Sequence, residues 1–246
     1  MKFYQHEDLD PTKRILVFGD VHGAYHLIEK AKHDLGITDD DIKIFVGDLT
    51  DRGTQNFKCV MEGMRKPNTY CIRGNHEDMM IRGMLDGDRR YYQCWYQNGG
   101  DTVFDEMVTE EAVTALAMVL EEAPVMLTVS HGDNNYAFVH AEYPSVISHI
   151  PVWFLEATLK QNNAIEQVSE MMMWNRDLIE CIKEGVDIPP VLGVDAVFHG
   201  HTPVRKPVIA QNRHYIDTGG IFNGNLTVAV IDPGKDIWYY STLLDQ

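Results

Sequence analysis

Short apolar runs rich in β-branched and aromatic residues recur along the chain, and each stops at a cluster of Gly, His, Asp or Asn. They are Ile15 to Phe18 before GDVHG, Ile42 to Val46 before GDLTDRG, Thr69 to Ile72 before RGNHE, Tyr136 to Val139 before HAE, and Asp195 to Phe198 before HGHT. Apolar runs of this length predict buried strands. Polar residues then crowd the C-terminal end of every strand, the place where loops of an α/β sheet converge on a ligand. Between the strands, Tyr25 to Leu35 and Asn56 to Arg65 occupy crossover positions and are expected to be helical. Thr102 to Glu121 reads as one long amphipathic helix, with Val103, Met107, Val113, Leu116 and Leu120 on one face. Trp153 to Arg176 holds one or two more. His214 to Asp217, Leu226 to Asp232 and Ile237 to Thr242 alternate, with turns at Asn223-Gly224-Asn225 and Asp232-Pro233-Gly234, and predict antiparallel strands at the end.

The 246 residues contain no long Pro-, Gly- or Ser-rich linker and no repeat, so one domain spanning 1–246 is expected. Composition is ordinary for a globular chain, with 44% hydrophobic and 24% charged residues. The longest apolar stretch, Ala112 to Leu120, is far shorter than the ~20 residues of a membrane span. With 21 Lys+Arg against 37 Asp+Glu, the net charge of −16 argues against a nucleic-acid partner and a polybasic membrane anchor. The start MKFYQHEDLD lacks the basic and apolar blocks of a secretion signal, so a cytoplasmic location is expected. Cys59, Cys71, Cys94 and Cys181 form no C-x-x-C pair and are expected to be reduced, mostly buried thiols. The run Thr38 to Asp41 reads as a solvated loop.

The chemistry lies in the strand-end motifs. Asp20 and His22 stand two apart on a turn. Asp48 and Asp51 follow with Arg52, then Asn75 and His76, then His140 and His201. The set contains hard or borderline oxygen and nitrogen donors and no thiol, which suits Mn, Fe, Zn or Mg. The donors are too numerous for a single ion with an open position, but they suit two ions that share a carboxylate.

In their order, GDVHG, GDLTDRG, RGNHE, FVHAEYP, MWNRD, FHGHTP and YIDTGG resemble the serine/threonine phosphoprotein phosphatases of the calcineurin-like metallophosphoesterase superfamily, the bacteriophage lambda phosphatase type in particular. The motifs run from Gly19 to Gly220. The resemblance implies an α/β metallophosphoesterase fold, a two-sheet β-sandwich flanked by helices, with a dimetal site at the strand ends. It implies that Asp20 and His22 ligate one divalent ion, that Asp48 bridges both, and that Asn75, His140 and His201 complete the second. Mn²⁺ is the expected metal, with Fe, Zn and Mg as alternatives. His76 would be the general acid, held by Asp51, while Arg52, Arg73 and Arg176 would hold the phosphate oxygens. The implied reaction is direct attack of a metal-activated hydroxide on a phosphoserine or phosphothreonine monoester, with phosphotyrosine also accepted. Phosphorylated proteins or peptides would be the partners. The segment Ser145 to Met172 departs from the lambda-type pattern.

Two alternatives stand beside that reading: a symmetrical bis-nucleosyl tetraphosphatase with the same metal motifs, and a non-catalytic interaction module on the same fold. The module would be expected to lose ligands, yet every one is present. His199 is expected to be structural or to support the ligands, and Met171 to Met173 to pack the core. His6, His26, His33, His131, His149 and His214 lack motif context. Asn98-Gly99-Gly100 reads either as a helix stop or as a wall of the cleft.

Overall fold

The computed structural model describes residues 1–243. In chain order it contains β1 (Tyr4–Leu9), β2 (Ile15–Phe18), α1 (Tyr25–Asp34), β3 (Ile42–Phe45), α2 (Asn56–Arg65), β4 (Thr69–Cys71), α3 (Asn75–Met84), α4 (Arg89–Trp95), α5 (Asp101–Met107) and α6 (Glu110–Glu121). There follow β5 (Met126–His131), β6 (Asn134–Val139), α7 (Val152–Gln161), α8 (Ile165–Trp174), α9 (Asp177–Lys183), β7 (Ala196–His199), β8 (Val208–Ala210), β9 (Arg213–Tyr215), α10 (Gly220–Asn223), β10 (Thr227–Ile231) and β11 (Trp238–Ser241).

The strands form two mixed sheets, of order β1-β5-β6-β7-β9-β8 and β11-β10-β2-β3-β4. Alternate residues of β2 explain why its sequence is apolar throughout. Ile15 and Val17 meet Leu127, Val129, Phe138 and Phe198 of the other sheet. Leu16 and Phe18 face the opposite way, onto Leu27 and Ile28 of α1, Val60 of α2 and Met80 of α3. The outer face of the six-stranded sheet is covered in turn by Leu155 and Leu159 of α7 and by Met172 and Met173 of α8. The result is the expected α/β sandwich of two sheets with helices on both sides. Because β2, β3 and β4 run parallel, as do β6 and β7, their C-terminal loops emerge at one edge.

Three expectations are corrected. The stretch 102–121 is two helices, broken where Val108 adopts φ +65° and Thr109 caps α6 through the Ala112 N–H. Thr109 followed by Glu110 and Glu111 is a helix-start signal that hydrophobic spacing alone passes over. At the C-terminus, β10 and β11 pair antiparallel, but β9 lies in the other sheet, parallel to β7 and antiparallel to β8. Arg73 does not join Arg52 and Arg176. Its backbone N–H donates to Pro124 O, and its buried guanidinium donates to the Glu121 carbonyl at 2.9 Å and faces Asp78 Oδ1 at 3.4 Å. The chain leaving β4 aims this side chain at the C-terminal carbonyls of α6, where the helix dipole favours a cation. Elsewhere the bland readings stand. Met172 and Met173 are core residues, and the four cysteines are free, with Cys59 and Cys71 buried and Cys94 and Cys181 half-buried. His199 is buried, its Nδ1 3.1 Å from Val139 O and its ring stacked on Tyr215.

Arg73→Met is therefore expected to lower unfolding stability by about 2–4 kcal/mol, because a buried charge network loses one member. KM for a phosphomonoester should stay within about twofold. Urea unfolding and steady-state kinetics on the same preparation check this; a large rise in KM at unchanged stability would restore a phosphate-binding role.

His214 of β9 packs against Phe198 and its Nδ1 meets the Tyr239 hydroxyl. Burial pulls its pKa down to about 4. Between its unfolded value of ~6.5 and that pH, the unfolded chain binds a proton that the folded chain refuses. Stability should therefore fall as pH drops from about 6.5 towards 4, by up to about 3 kcal/mol from this residue. Urea midpoints across this range should decline less steeply for His214→Gln than for the wild type; parallel curves would refute the assignment.

Candidate active site

The loop after β3 is the pivot of the site. Gly47, at φ +93°, lets the chain turn against the next loop: a Cβ there would lie 2.7 Å from Gly74 N and 2.9 Å from His140 Nδ1. Asp48 follows at φ +52°, with Asp51 and Arg52 at +77° and +68°. Such backbone is uncommon for residues with side chains and clusters at functional sites. The carbonyl of Asp48 accepts the Val21 and His22 N–H groups, which ties the GDVHG turn to this loop. From the other side, Glu77 accepts the N–H groups of Asp48 and Leu49, both at 2.8 Å, and of Gly74 at 2.9 Å. Sequence reading gave Glu77 no role. The available signal was an acid in the first turn of a helix that begins at a strand end.

The imidazoles are oriented by backbone carbonyls. His22 Nδ1 is 2.8 Å from Thr50 O, His140 Nδ1 is 2.7 Å from Val46 O, and His201 Nε2 is 3.1 Å from Trp174 O. A ring nitrogen engaged in this way turns the other one toward the centre, the usual arrangement of histidines that hold a metal. The Asp48 carboxylate lies between two such rings, 3.4 Å from His22 Nε2 and 3.3 Å from His140 Nε2. Asn75 Oδ1 is 3.0 Å from both His140 Nε2 and His201 Nδ1. Asp20 accepts the backbone N–H of His201. Two groups of potential ligands result, His22–Asp48–His76 and Asp48–His140–His201, and they share Asp48.

The electrostatics fit a cationic occupant. Asp20, Asp48 and Asp217 are all buried against the cavity, and among the described residues the basic groups lining it are two arginines and the histidines. Burial, reinforced by Asp217, pushes the Asp20 carboxyl well above the usual range. Asp217 itself is raised to about 6 by burial. Burial opposes a charge on His140, but Asp48 outweighs it and raises the imidazole to about 10. His22 and His201 are brought down to about 3 by burial and are neutral donors at pH 7. Buried carboxylates beside the neutral imidazoles of His22 and His201 are a set that a divalent ion satisfies and a proton satisfies poorly. Asp217 was given no role from the sequence, although like Asp20 and Asp48 it follows an apolar run.

His76 is buried, with Nδ1 2.5 Å from Asp51 Oδ2 and Nε2 2.9 Å from Arg52 Nη2. Burial disfavours its charge, but Asp48 and the bond to Asp51 prevail and raise its pKa. The second Asp51 oxygen accepts the indole N–H of Trp95 at 2.9 Å. Arg52 donates its backbone N–H to Gly99 O, lies over the Phe222 ring at 5.3 Å, and directs its guanidinium to His22 and His76. Arg176 enters from the far wall, its Nε 3.2 Å from His201 Nε2. The divergent segment 145–172 folds as α7 and most of α8, and α8 ends by delivering Trp174, Asn175 and Arg176 to the cavity. Asn98 also lines it, so Asn98-Gly99-Gly100 is at once a helix kink and a wall. The cavity encloses about 500 Å³. It brings together Asp20, His22, Asp48, Asn75, His76, His201, Arg52 and Arg176, with His140 and Asp51 just beneath, and leaves Arg73 outside.

Serine/threonine-protein phosphatase 1 of Salmonella typhimurium is 29% identical to this chain over 233 residues, covering 94% of it and 97% of that protein. Serine/threonine-protein phosphatase 2 of the same organism is 30% identical over 237 residues, with 92% and 98% covered. An asymmetrical bis(5'-nucleosyl)-tetraphosphatase of Halalkalibacterium halodurans is 27% identical over 234 residues, covering 86% and 87%. The fold matches that of a serine/threonine phosphatase from Saccharomyces cerevisiae with a TM-score of 0.61 at 13% identity, over 96% of this chain and 82% of that one. The profile of the calcineurin-like phosphoesterases matches residues 13–205. The chain therefore belongs to the calcineurin-like phosphoesterase family, hydrolases built around a two-metal site.

Proposed function

We propose that the protein is a metal-dependent phosphoprotein phosphatase acting on phosphoserine and phosphothreonine, and on phosphotyrosine as well. The observation that carries this reading is the cation inventory of the cavity: among the described residues, Arg52 and Arg176 are the arginines lining it, and no lysine does. Two guanidiniums suit the oxygens of one phosphoryl group, since each planar fork can bind two acceptors. A polyphosphate would need a longer basic track. Arg90, of the Arg89-Arg90 pair, is exposed and paired with Asp88. The similarity to phosphatases 1 and 2 of Salmonella typhimurium supports the same substrate class.

Asp20, His22, Asp48, Asn75, His140 and His201 would hold two divalent ions, Mn²⁺ being favoured by an O/N donor set without thiolate. When bound, such ions neutralise phosphoryl charge and acidify water to near neutrality. The remaining work falls to side chains. Arg52 and Arg176 orient the phosphoryl group and add to its charge neutralisation. His76 presents Nε2 to the cavity beside Arg52 Nη2, and in its imidazolium form it can give a proton to the departing seryl or threonyl oxygen. Asp51 holds the ring through Nδ1. Among the described residues no Cys or Ser lines the cavity, in keeping with direct attack by water.

After chelation and Mn²⁺ add-back, kcat/KM for a phosphoserine peptide should exceed that for diadenosine tetraphosphate by at least about tenfold, or about 1.4 kcal/mol. The reverse preference would favour the nucleotide hydrolase, the activity named for the Halalkalibacterium relative. Full activity in rigorously chelated protein would refute metal dependence.

His76→Asn should keep its metal and lose about 10²–10⁴ in kcat on the phosphoserine peptide. The loss on p-nitrophenyl phosphate should be much smaller, because that phenolate departs without much protonation. Equal losses would remove His76 from the acid role.

A further inference from the structure

The Asp51 carboxylate is fully buried, and its oxygens are committed to different elements. Oδ2 meets His76 Nδ1, and Oδ1 accepts the indole N–H of Trp95 at 2.9 Å. Trp95 closes α4 and is fully buried. The chain then passes through a kinked turn, Tyr96–Gly100, into α5. Within that turn Gly99 stands at φ +110°, and its carbonyl accepts the Arg52 N–H at 3.0 Å. Gly100 lies against the indole so closely that a Cβ would come within 2.4 Å of the ring. Tyr92 and Phe104 pack on the same ring, at centroid separations of 6.1 and 5.7 Å. The ring thus has one place to be, and its single donor has one acceptor.

We infer that Trp95 is a positioning residue for the His76–Asp51 pair. Its N–H pins Oδ1, so that Oδ2 faces His76 and the imidazole is held with Nε2 toward the cavity. This inference rests on the reading of His76 as the proton donor. Without the indole N–H, Oδ1 becomes a buried acceptor lacking its partner, and the carboxylate can rotate to seek another. His76 then keeps its partner for only part of the time, and the aim of Nε2 loosens. The penalty falls on proton delivery to the leaving group. Binding of the phosphoryl group by Arg52 and Arg176 is left as it was.

The test compares Trp95→Phe with the wild type on phenyl phosphate and p-nitrophenyl phosphate, aryl esters whose leaving groups differ in their need for a proton. With these esters the outcome does not depend on whether the natural substrate is a phosphoprotein. For phenyl phosphate kcat should fall about tenfold with KM within about twofold, while the fall on p-nitrophenyl phosphate stays below about twofold. In a His76→Asn background, Trp95→Phe should add no further loss on either ester. A uniform loss on both esters with a raised KM would mean that the indole merely supports the loop, and would overturn the inference; so would an undiminished loss in the His76→Asn background. If His76→Asn discriminates between the esters and Trp95→Phe does not, the inference alone fails. If His76→Asn lowers both equally, the proton-donor reading fails and takes the inference with it. In metal-free protein, the downfield proton of the His76–Asp51 hydrogen bond, identified by its absence in His76→Asn, should shift or broaden in Trp95→Phe; an unmoved signal would also overturn the inference. Should Trp95→Phe not fold, Gly100→Ala displaces the indole while keeping its N–H, and it must give the same ester-dependent loss for the inference to stand.

Discussion

The Glu77 carboxylate sits beneath the loops that carry Asp48 and Asn75, and it accepts N–H groups from both of them. Without an acceptor there, the amides of Asp48, Leu49 and Gly74 would be buried and unpaired, at about 1–3 kcal/mol each. The left-handed backbone at Asp48 persists because the alternatives would break these bonds. Asp48 in turn takes the His76 N–H on one oxygen and faces His22 and His140 with the other. Fixing Asp48 therefore fixes the point shared by both ligand groups. One buried acid that has no part in the chemistry sets the register of those that do.

The same logic extends outward. Asp51, held at its oxygens by His76 and Trp95 and at its N–H by Asn56, also stands in left-handed backbone. Asn56 in turn reaches Gly53 O through its side-chain amide and gives its backbone N–H to Glu106 of α5. Each strained residue costs on the order of 1–3 kcal/mol, and each is held by bonds from elements distant in sequence. The strain thus depends on the completed fold: a fragment carrying GDLTDRG alone would have no reason to adopt this shape.

Overall charge and site charge have to be considered separately. The chain is strongly acidic, yet the cavity that would receive a dianion places Arg52 and Arg176 above a floor of carboxylates and imidazoles. Without cations that floor would repel phosphate. With two divalent ions the balance reverses locally, and the acidic exterior becomes immaterial over distances beyond a Debye length of ~8 Å. The acidic run Thr38 to Asp41 belongs to that exterior. Asp41 pairs with Arg14 and caps its own turn through the Thr38 N–H.

Much of the molecule was legible in order along the chain. Mostly apolar runs buried on both faces marked β2, β3 and β7, because one polar residue such as Lys43 in β3 does not make an alternation. Polar residues at their ends marked the cavity, because parallel strands send their loops to one edge. The roles of Glu77, Trp95 and Asp217 were not legible. Each acts through a partner that is remote in sequence; Glu77 and Asp217 carry local signals, an acid in the first turn of a helix and an acid after an apolar run, but neither signal identifies the partner. Arg73 fails in the opposite direction. It stands inside a recognisable motif, yet the direction in which the chain leaves β4 turns its guanidinium away from the cavity and onto the end of α6. Residue types and strand ends were set by the sequence, since they follow from period and polarity over a few neighbours. Which side chain faces which was decided by tertiary structure, because direction depends on backbone angles that only distant hydrogen bonds hold in place.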